Sequence, residues 1–139
     1  KLKDLKKAKF FLKKTVELQD NYALAFFALG NVHVDLKELH EAVSCYQKTI
    51  EIRPDFVNAY NNLGLVFRDL NDFKNAVDSY EKAIKIKPDY ASAHHNLGII
   101  LKEQGDFKKA IQSHELAAKY ESDDLSHYFF FHLNNRLYL

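Results

Sequence analysis

The chain repeats itself at a fixed step of 34 residues. Three columns of residues show the step: an aromatic column of Phe26, Tyr60, His94 and Tyr128; the pairs Leu29-Gly30, Leu63-Gly64 and Leu97-Gly98; and an alanine column of Ala42, Ala76 and Ala110. A period of this size is typical of a solenoid, in which one supersecondary unit is stacked on copies of itself. A single unit cannot bury its own apolar faces, so the step predicts that neighbouring units form one continuous core.

Each unit begins with a helical pattern. Phe26, Leu29, Gly30 and His33 are spaced at i, i+3, i+4 and i+7, and the next two units keep this spacing. The spacing places these residues on one stripe of an α-helix. A glycine inside a helix costs about 1 kcal/mol relative to alanine. Its repetition at the same phase therefore indicates that a second helix packs closely there.

A break and a second helix follow in every unit. The breaks fall at Lys37-Glu38, Asn71-Asp72 and Gly105-Asp106, and the second helices carry the alanine column. Asn and Gly tolerate the left-handed conformation that ends a helix, and Lys does so less readily. Pro54 and Pro88 end the second helices, and the aspartates that follow them, Asp55 and Asp89, are predicted to cap the next helix.

These columns, taken together, resemble the tetratricopeptide repeat, a family of 34-residue pairs of antiparallel helices. Three full copies fit residues 23–56, 57–90 and 91–124. Residues 1–22 fit the second helix of a truncated copy, and residues 125–139 fit the first helix of a partial copy or a capping helix. The resemblance implies an all-α fold, a right-handed superhelical α-solenoid of about eight helices. It also indicates that the chain is a piece of a longer scaffold.

Composition excludes several function classes. The net charge is +1 and no apolar run approaches the roughly 20 residues of a membrane span, so we expect neither a nucleic acid nor a membrane as partner. Residues 1–14 hold seven lysines and one acid, which we interpret as the solvated face of a helix rather than a nucleic-acid arm. A lone cysteine, Cys45, is compatible with a reducing compartment, and we expect a cytoplasmic location.

The sequence offers no catalytic, cofactor-binding or metal-binding site. Residues His94 and His114 both fall in packing columns, where we expect a core pair rather than a metal site. Cys45 precedes the packing residue Tyr46 and is expected to be a buried, inert thiol. Sequence motifs for nucleophilic catalysis, phosphate binding or zinc binding are missing, so we predict that the chain is not an enzyme and needs no cofactor.

The candidate binding residues lie on the other stripe of each first helix, which in tetratricopeptide repeat proteins lines the concave groove. We predict that the groove binds a protein or peptide partner through Phe27, Asn31, Asn58, Asn61, Asn62, Leu65, Arg68, His95, Asn96, Ile99 and Lys102. Asparagine carboxamides both donate and accept hydrogen bonds, which suits the backbone of an extended segment. Alternatively, these amides are solvated or join neighbouring helices.

The resemblance leaves two further interpretations open. Asn62 and Asn96, 34 residues apart, resemble the asparagine ladder in the repeat arm of O-linked N-acetylglucosamine transferases, which would make the chain the substrate-recruiting arm of a larger enzyme. Self-association is the other interpretation, through Phe129, Phe130 and Leu133 of the aromatic last segment. The carboxylate-binding type of repeat is disfavoured, because Phe27, Ser92 and Asn96 stand where its cations are needed.

Overall fold

The predicted helix pairs are present. A computed structural model describes the backbone of residues 1–137 and the side chains of residues 1–124. Within that range the chain forms seven α-helices: α1 (Leu2–Leu18), α2 (Ala23–Asp35), α3 (Leu39–Ile52), α4 (Val57–Asp69), α5 (Phe73–Ile86), α6 (Ala91–Glu103) and α7 (Phe107–Leu137). Adjacent helices pack in antiparallel pairs, so the all-α fold is confirmed, with seven helices rather than about eight.

The missing helix boundary lies at the end of the third unit. Helix α7 runs without interruption from Phe107 to Leu137, whereas a turn was expected between residues 124 and 125. The sequence explains the difference, because Ser122 stands where Pro54 and Pro88 end the earlier second helices. Serine retains the backbone N–H that proline lacks, so nothing forces the helix to stop.

The turns between paired helices adopt the predicted left-handed conformation. Lys37 has φ 63°, Asn71 has φ 60° and Gly105 has φ 84°, the three positive φ values of the described backbone. Lysine is the least suited of the three to this conformation. It is held there because its N–H donates to the Val34 carbonyl oxygen at 2.9 Å.

The predicted helix caps are wrong. Asp55 and Asp89 cap nothing, because α4 and α6 begin one residue later than such caps would require, with Phe56 and Tyr90 at the N-cap positions. The side-chain cap of α5 is instead Asp72, whose Oδ1 accepts from the Asn75 N–H at 3.3 Å. A capping carboxylate must stand directly before the first helical residue to reach the free N–H groups of the first turn.

A contact between a glycine and an aromatic or histidine ring recurs in each helix pair. Gly64 of α4 lies against the ring of Tyr80 in α5, and Gly30 of α2 lies against Tyr46 in α3. Both tyrosines are fully buried, and each anchors a core cluster with the alanine column. The third pair places Gly98 against His114, which is only half-buried. The ring that meets the glycine is therefore more enclosed in the first two pairs than in the third.

A polar network attaches α1 to the first full pair. The Lys9 ammonium of α1 donates to both carboxylate oxygens of Glu38, at 2.8 and 2.9 Å. His33 of α2 lies 3.0 Å from the same carboxylate through Nδ1. The hydrogen bond from Lys9 lowers the pKa of Glu38 below its ordinary value of 4.5. The charged form of Glu38 is therefore the form that the folded state favours.

This network predicts a pH dependence of stability. A lowered folded-state pKa contributes stability that is present above the unfolded pKa and is lost as the pH falls through the folded pKa. We expect Glu38→Gln to lower the midpoint of thermal unfolding at pH 7, and we expect the gap from the unsubstituted chain to close below the ordinary carboxyl pKa of 4.5. Thermal melts followed by circular dichroism between pH 3 and pH 7 measure this.

Glu41→Gln is the matched control, because Glu41 lies on the first turn of α3, is exposed and makes no ion pair among the described side chains. A constant gap at all pH values, or an equal effect of the control, would contradict the role of the network.

Candidate partner-binding groove

The first helices of successive pairs lie side by side and form one face. We call the outward side of α2, α4 and α6 the groove face. Asparagine side chains join these helices: Asn62 Nδ2 donates to Asn31 Oδ1 at 3.0 Å, and Asn96 Nδ2 donates to Asn61 Oδ1 at 3.1 Å. At the N-terminal ends of α4 and α6, the Tyr90 hydroxyl donates to Asn58 Oδ1 at 2.8 Å. Five of the predicted binding residues are thus brought together by bonds between helices.

The first of these contacts is part of a larger cluster. The Tyr46 hydroxyl of α3 donates to Asn31 Oδ1 at 2.6 Å, so the Asn31 oxygen accepts two hydrogen bonds. Burial raises the pKa of Tyr46 to about 12, against a smaller opposing effect of the Asn62 amide. The hydroxyl is therefore neutral at any physiological pH and acts as a fixed donor.

The equivalent hydroxyl one unit later lacks a partner. Tyr80 is completely buried, and its hydroxyl makes no hydrogen bond within the described part of the chain. Burial raises the pKa of Tyr80 strongly. The cause lies on α4, where Leu65 occupies the position that Asn31 occupies on α2. Leucine offers no acceptor, so the second unit buries a hydroxyl without the bond that the first unit provides.

The remaining predicted residues differ in how far they are available. Phe27 packs between Tyr46 and Phe56, with ring centroids 5.8 and 4.8 Å away, so it contributes mainly to the core. Asn61 is also buried, at 6% exposure. The others face outward on the groove face: Leu65, Arg68 and Ile99 are half-buried, and His95 and Lys102 are exposed.

The histidine pair expected in the core is not formed. His94 is buried, and its Nε2 lies 2.8 Å from the carbonyl oxygen of Pro88. The ring that meets His114 belongs to His95, at a centroid distance of 5.3 Å and an edge-on angle of 65°. His94 instead faces Tyr120 further along α7, at 5.5 Å. His114 and Tyr120 lie six residues apart on α7, nearly two helical turns, and the residue columns did not distinguish between these two contacts.

Cys45 has the environment that the sequence predicted. It is a free, buried cysteine, and burial raises its thiol pKa to about 11. A thiol with such a pKa carries almost no thiolate at neutral pH, so it is a poor nucleophile and a poor metal ligand.

The described side chains form no cluster of three or more His, Cys, Asp or Glu that could hold a metal ion. Among the described residues, no helix is long and apolar enough to cross a membrane. Phe129, Phe130 and Leu133, the residues predicted to mediate self-association, have side chains outside the described residues.

Comparison with known families agrees with the geometry. The family described as TPR repeat matches residues 30–69 and 64–105, and the family described as tetratricopeptide repeat matches residues 93–126. The chain belongs to the tetratricopeptide repeat family. A search of curated proteins gave no significant match.

Solved structures of MamA share this tetratricopeptide fold. One MamA crystal structure is 29% identical over 83% of this chain and 67% of its own, with a TM-score of 0.79. Another is 28% identical over 88% of this chain and 67% of its own, with a TM-score of 0.80. Residues 41 to the end of MamA from Desulfovibrio magneticus RS-1 are 22% identical over 88% and 69% of the two chains, with a TM-score of 0.80, which shows the fold alone. Tetratricopeptide repeat domains bind proteins, and the chain shares their architecture.

Sequence reasoning missed the tyrosines as part of the groove face. Tyr46 and Tyr80 were assigned to packing columns, yet the Tyr46 hydroxyl bonds Asn31 of the preceding helix, and the Tyr80 hydroxyl is buried without a partner among the described residues. A signal was present, because Asn31 is followed by Leu65 and Ile99 at the 34-residue step. Where this position is asparagine, the tyrosine hydroxyl has an acceptor, and where it is leucine, no acceptor is offered.

Proposed function

We propose that the chain is a non-catalytic protein-interaction module whose groove face binds an extended segment of a partner protein. One observation carries the proposal. Asn62 and Asn96 use their N–H groups to bond the preceding helix, and their carbonyl oxygens accept no hydrogen bond from the described residues. Two such acceptors, one per repeat and 34 residues apart in the sequence, suit the backbone N–H groups of an extended chain.

The neighbouring side chains favour the same use. Leu65 and Ile99 are half-buried and supply apolar contact beside the two amides, while Arg68, His95 and Lys102 supply charge and polarity. Binding sites combine a preformed apolar surface with a few placed polar groups, and the groove face has both. The bonds between helices support the interpretation that these amides join repeats, and they leave the oxygens available for a second role.

Selection of peptides tests this proposal. A library of extended peptides displayed on phage is selected against the chain, and affinities of selected peptides are measured by calorimetry. We expect Asn62→Ala with Asn96→Ala to weaken binding about tenfold, which corresponds to roughly 1.4 kcal/mol. Leu65→Lys should weaken it similarly and leaves the bond between Asn62 and Asn31 in place.

Asn75→Ala is the control, since Asn75 is an exposed asparagine on α5, outside the groove face. Circular dichroism melts establish that every variant is folded at the temperature of the binding measurement. Selected peptides that bind both groove variants as tightly as the unsubstituted chain would show that the partner uses another surface.

The alternative functions depend on residues or domains outside the described structure. Self-association through Phe129, Phe130 and Leu133 stays a prediction, as does a role as the recruiting arm of a larger enzyme. A cytoplasmic location also stays a prediction.

A further inference from the structure

A cleft of about 270 Å³ opens on the groove face between α2 and α4. Val34 and Leu65 contribute half-buried apolar walls, and the Asn62 carboxamide lies beside them. Two exposed carboxylates, Asp35 and Asp69, also line the cleft, one from the C-terminal end of each helix. The cleft therefore combines an apolar interior with negative charge.

The equivalent positions of the next repeat carry a cation beside the carboxylate. The residue equivalent to Val34 is Arg68, 34 positions later, and the residue equivalent to Asp35 is Asp69. Arg68 Nη2 lies 4.0 Å from Asp69 Oδ1. The pKa of Tyr80 is raised mainly by burial, and the Arg68 charge opposes that rise. In α4 the chain thus supplies its own cation to the carboxylate of Asp69.

In the first unit the carboxylate and the tyrosine are kept, and the cation is missing. Tyr46 stands where Tyr80 stands, and it lines the cleft together with Asp35. Val34 is short and uncharged, so it leaves space at the position that the Arg68 side chain occupies one unit later. Asp35 makes no ion pair among the described side chains. The first unit therefore lacks the cation that Arg68 supplies at the equivalent position of the second unit.

We propose that this cleft binds an arginine side chain of the partner segment, a specificity that rests on the proposed groove function. The aliphatic stem of the arginine would lie along Val34 and Leu65, as long basic side chains do on apolar surfaces. Its guanidinium would reach the carboxylate of Asp35, which carries the contact because the Asp69 carboxylate already lies 4.0 Å from Arg68 Nη2. A planar guanidinium forms paired hydrogen bonds with a carboxylate, so arginine fits better than lysine.

Binding of a small probe tests the cleft directly. N-acetyl-arginine methylamide is titrated into the full chain, and the side-chain amide signals of Asn31 and Asn62 are followed by nuclear magnetic resonance. N-acetyl-citrulline methylamide is the comparison, since it has nearly the same shape and no charge. We expect the arginine probe to bind at least fivefold more tightly than the citrulline probe, with signal changes centred on α2 and α4.

Two substitutions remove the site in different ways. Asp35→Asn removes the carboxylate charge, and Val34→Arg fills the cleft from within, as Arg68 does in the next unit. Each should weaken the arginine probe at least fivefold. Asp89→Asn makes the same change of charge in an exposed turn outside the cleft and should leave the affinity unchanged. Equal affinity for the two probes, or no effect of Asp35→Asn, would overturn the proposal.

The two proposals fail in different ways. If selected peptides lose affinity with Leu65→Lys and none depends on Asp35, the groove function stands and the arginine specificity is wrong. If the arginine probe binds as expected while the groove substitutions leave the affinity of the selected peptides unchanged, the cleft binds arginine and the extended-segment proposal is wrong.

Discussion

Gly64→Ala should lower the free energy of unfolding by about 2 kcal/mol, even though alanine is the better helix former. A Cβ at this position would lie 2.6 Å from Tyr80 Cε1 and 2.8 Å from both Cδ1 and Cζ. The ring cannot move away easily, because Tyr80 is completely buried among the residues of its core cluster. The strain of overpacking, about 1–3 kcal/mol, should exceed the propensity gain of about 1 kcal/mol.

The third repeat provides the matched control. Gly98→Ala places a Cβ 2.8 Å from His114 Cε1, a similar distance, but His114 is half-buried and has room to turn. We therefore expect Gly98→Ala to cost less than half as much as Gly64→Ala. Urea denaturation followed by circular dichroism measures both. Gly64→Ala as stable as the unsubstituted chain would show that the helices separate at little cost, and that the glycine column has another origin.

Removing the hydroxyl groups of Tyr46 and Tyr80 should change stability in opposite directions. Tyr46→Phe deletes a bond of 2.6 Å to Asn31 Oδ1 and should cost about 1 kcal/mol. Tyr80→Phe deletes a buried hydroxyl that has no partner among the described residues and should gain about 1 kcal/mol. The contrast of about 2 kcal/mol comes from one chemical change at two equivalent positions.

A double-mutant cycle isolates the cause. Leu65→Asn places on α4 the acceptor that Asn31 provides on α2, and it should stabilise the chain with Tyr80 more than the chain with Tyr80→Phe. The coupling free energy should be about 1 kcal/mol. Chemical denaturation of the four chains gives this value. If Tyr46→Phe and Tyr80→Phe shift the unfolding midpoint equally, the two hydroxyls have equivalent surroundings in solution, and the explanation from Leu65 is wrong.

The residue columns of the sequence predicted most of the fold. Gly64 and Tyr80 stand in separate columns of the repeat, and their contact follows from the need of paired helices to approach closely. The left-handed turns at Asn71 and Gly105 followed equally from local backbone preference. Packing requirements predicted the contact, and the backbone preferences of asparagine and glycine predicted the turns, so these features could be read from the sequence.

Other features depended on geometry that the spacing does not encode. The 34-residue period predicted a helix end near residue 124, but Ser122 departs from the proline column of Pro54 and Pro88, and without a helix breaker α7 continues. Asp55 had the right chemistry for a cap and the wrong position by one residue. His95 rather than His94 meets His114, because side-chain direction changes by a large angle between adjacent helical residues.

In the candidate groove too, the sequence predicted some features, and others depended on side-chain geometry. The sequence predicted which residues lie off the packing stripe of α4 and α6, and all of these candidates are exposed or half-buried except Asn61, which is buried. It left open whether the Asn62 and Asn96 amides bond the preceding helix, as they do, because an asparagine has the same spacing whether it bonds a neighbouring helix or a partner. The cleft beside Asp35 was also hidden, since it depends on the small size of Val34 relative to Arg68.

The amide bonds across the groove face also bear on the mechanics of the solenoid. Apolar packing between repeats tolerates small rotations, whereas a carboxamide bond of 3.0 or 3.1 Å is directional and breaks when its partners turn apart. Stretching or uncoiling the array would therefore load the contacts of Asn62 with Asn31 and of Asn96 with Asn61 before the buried rings separate. These asparagine bonds therefore resist rotation of one repeat against the next, and they make the groove face stiffer than the opposite face of the solenoid.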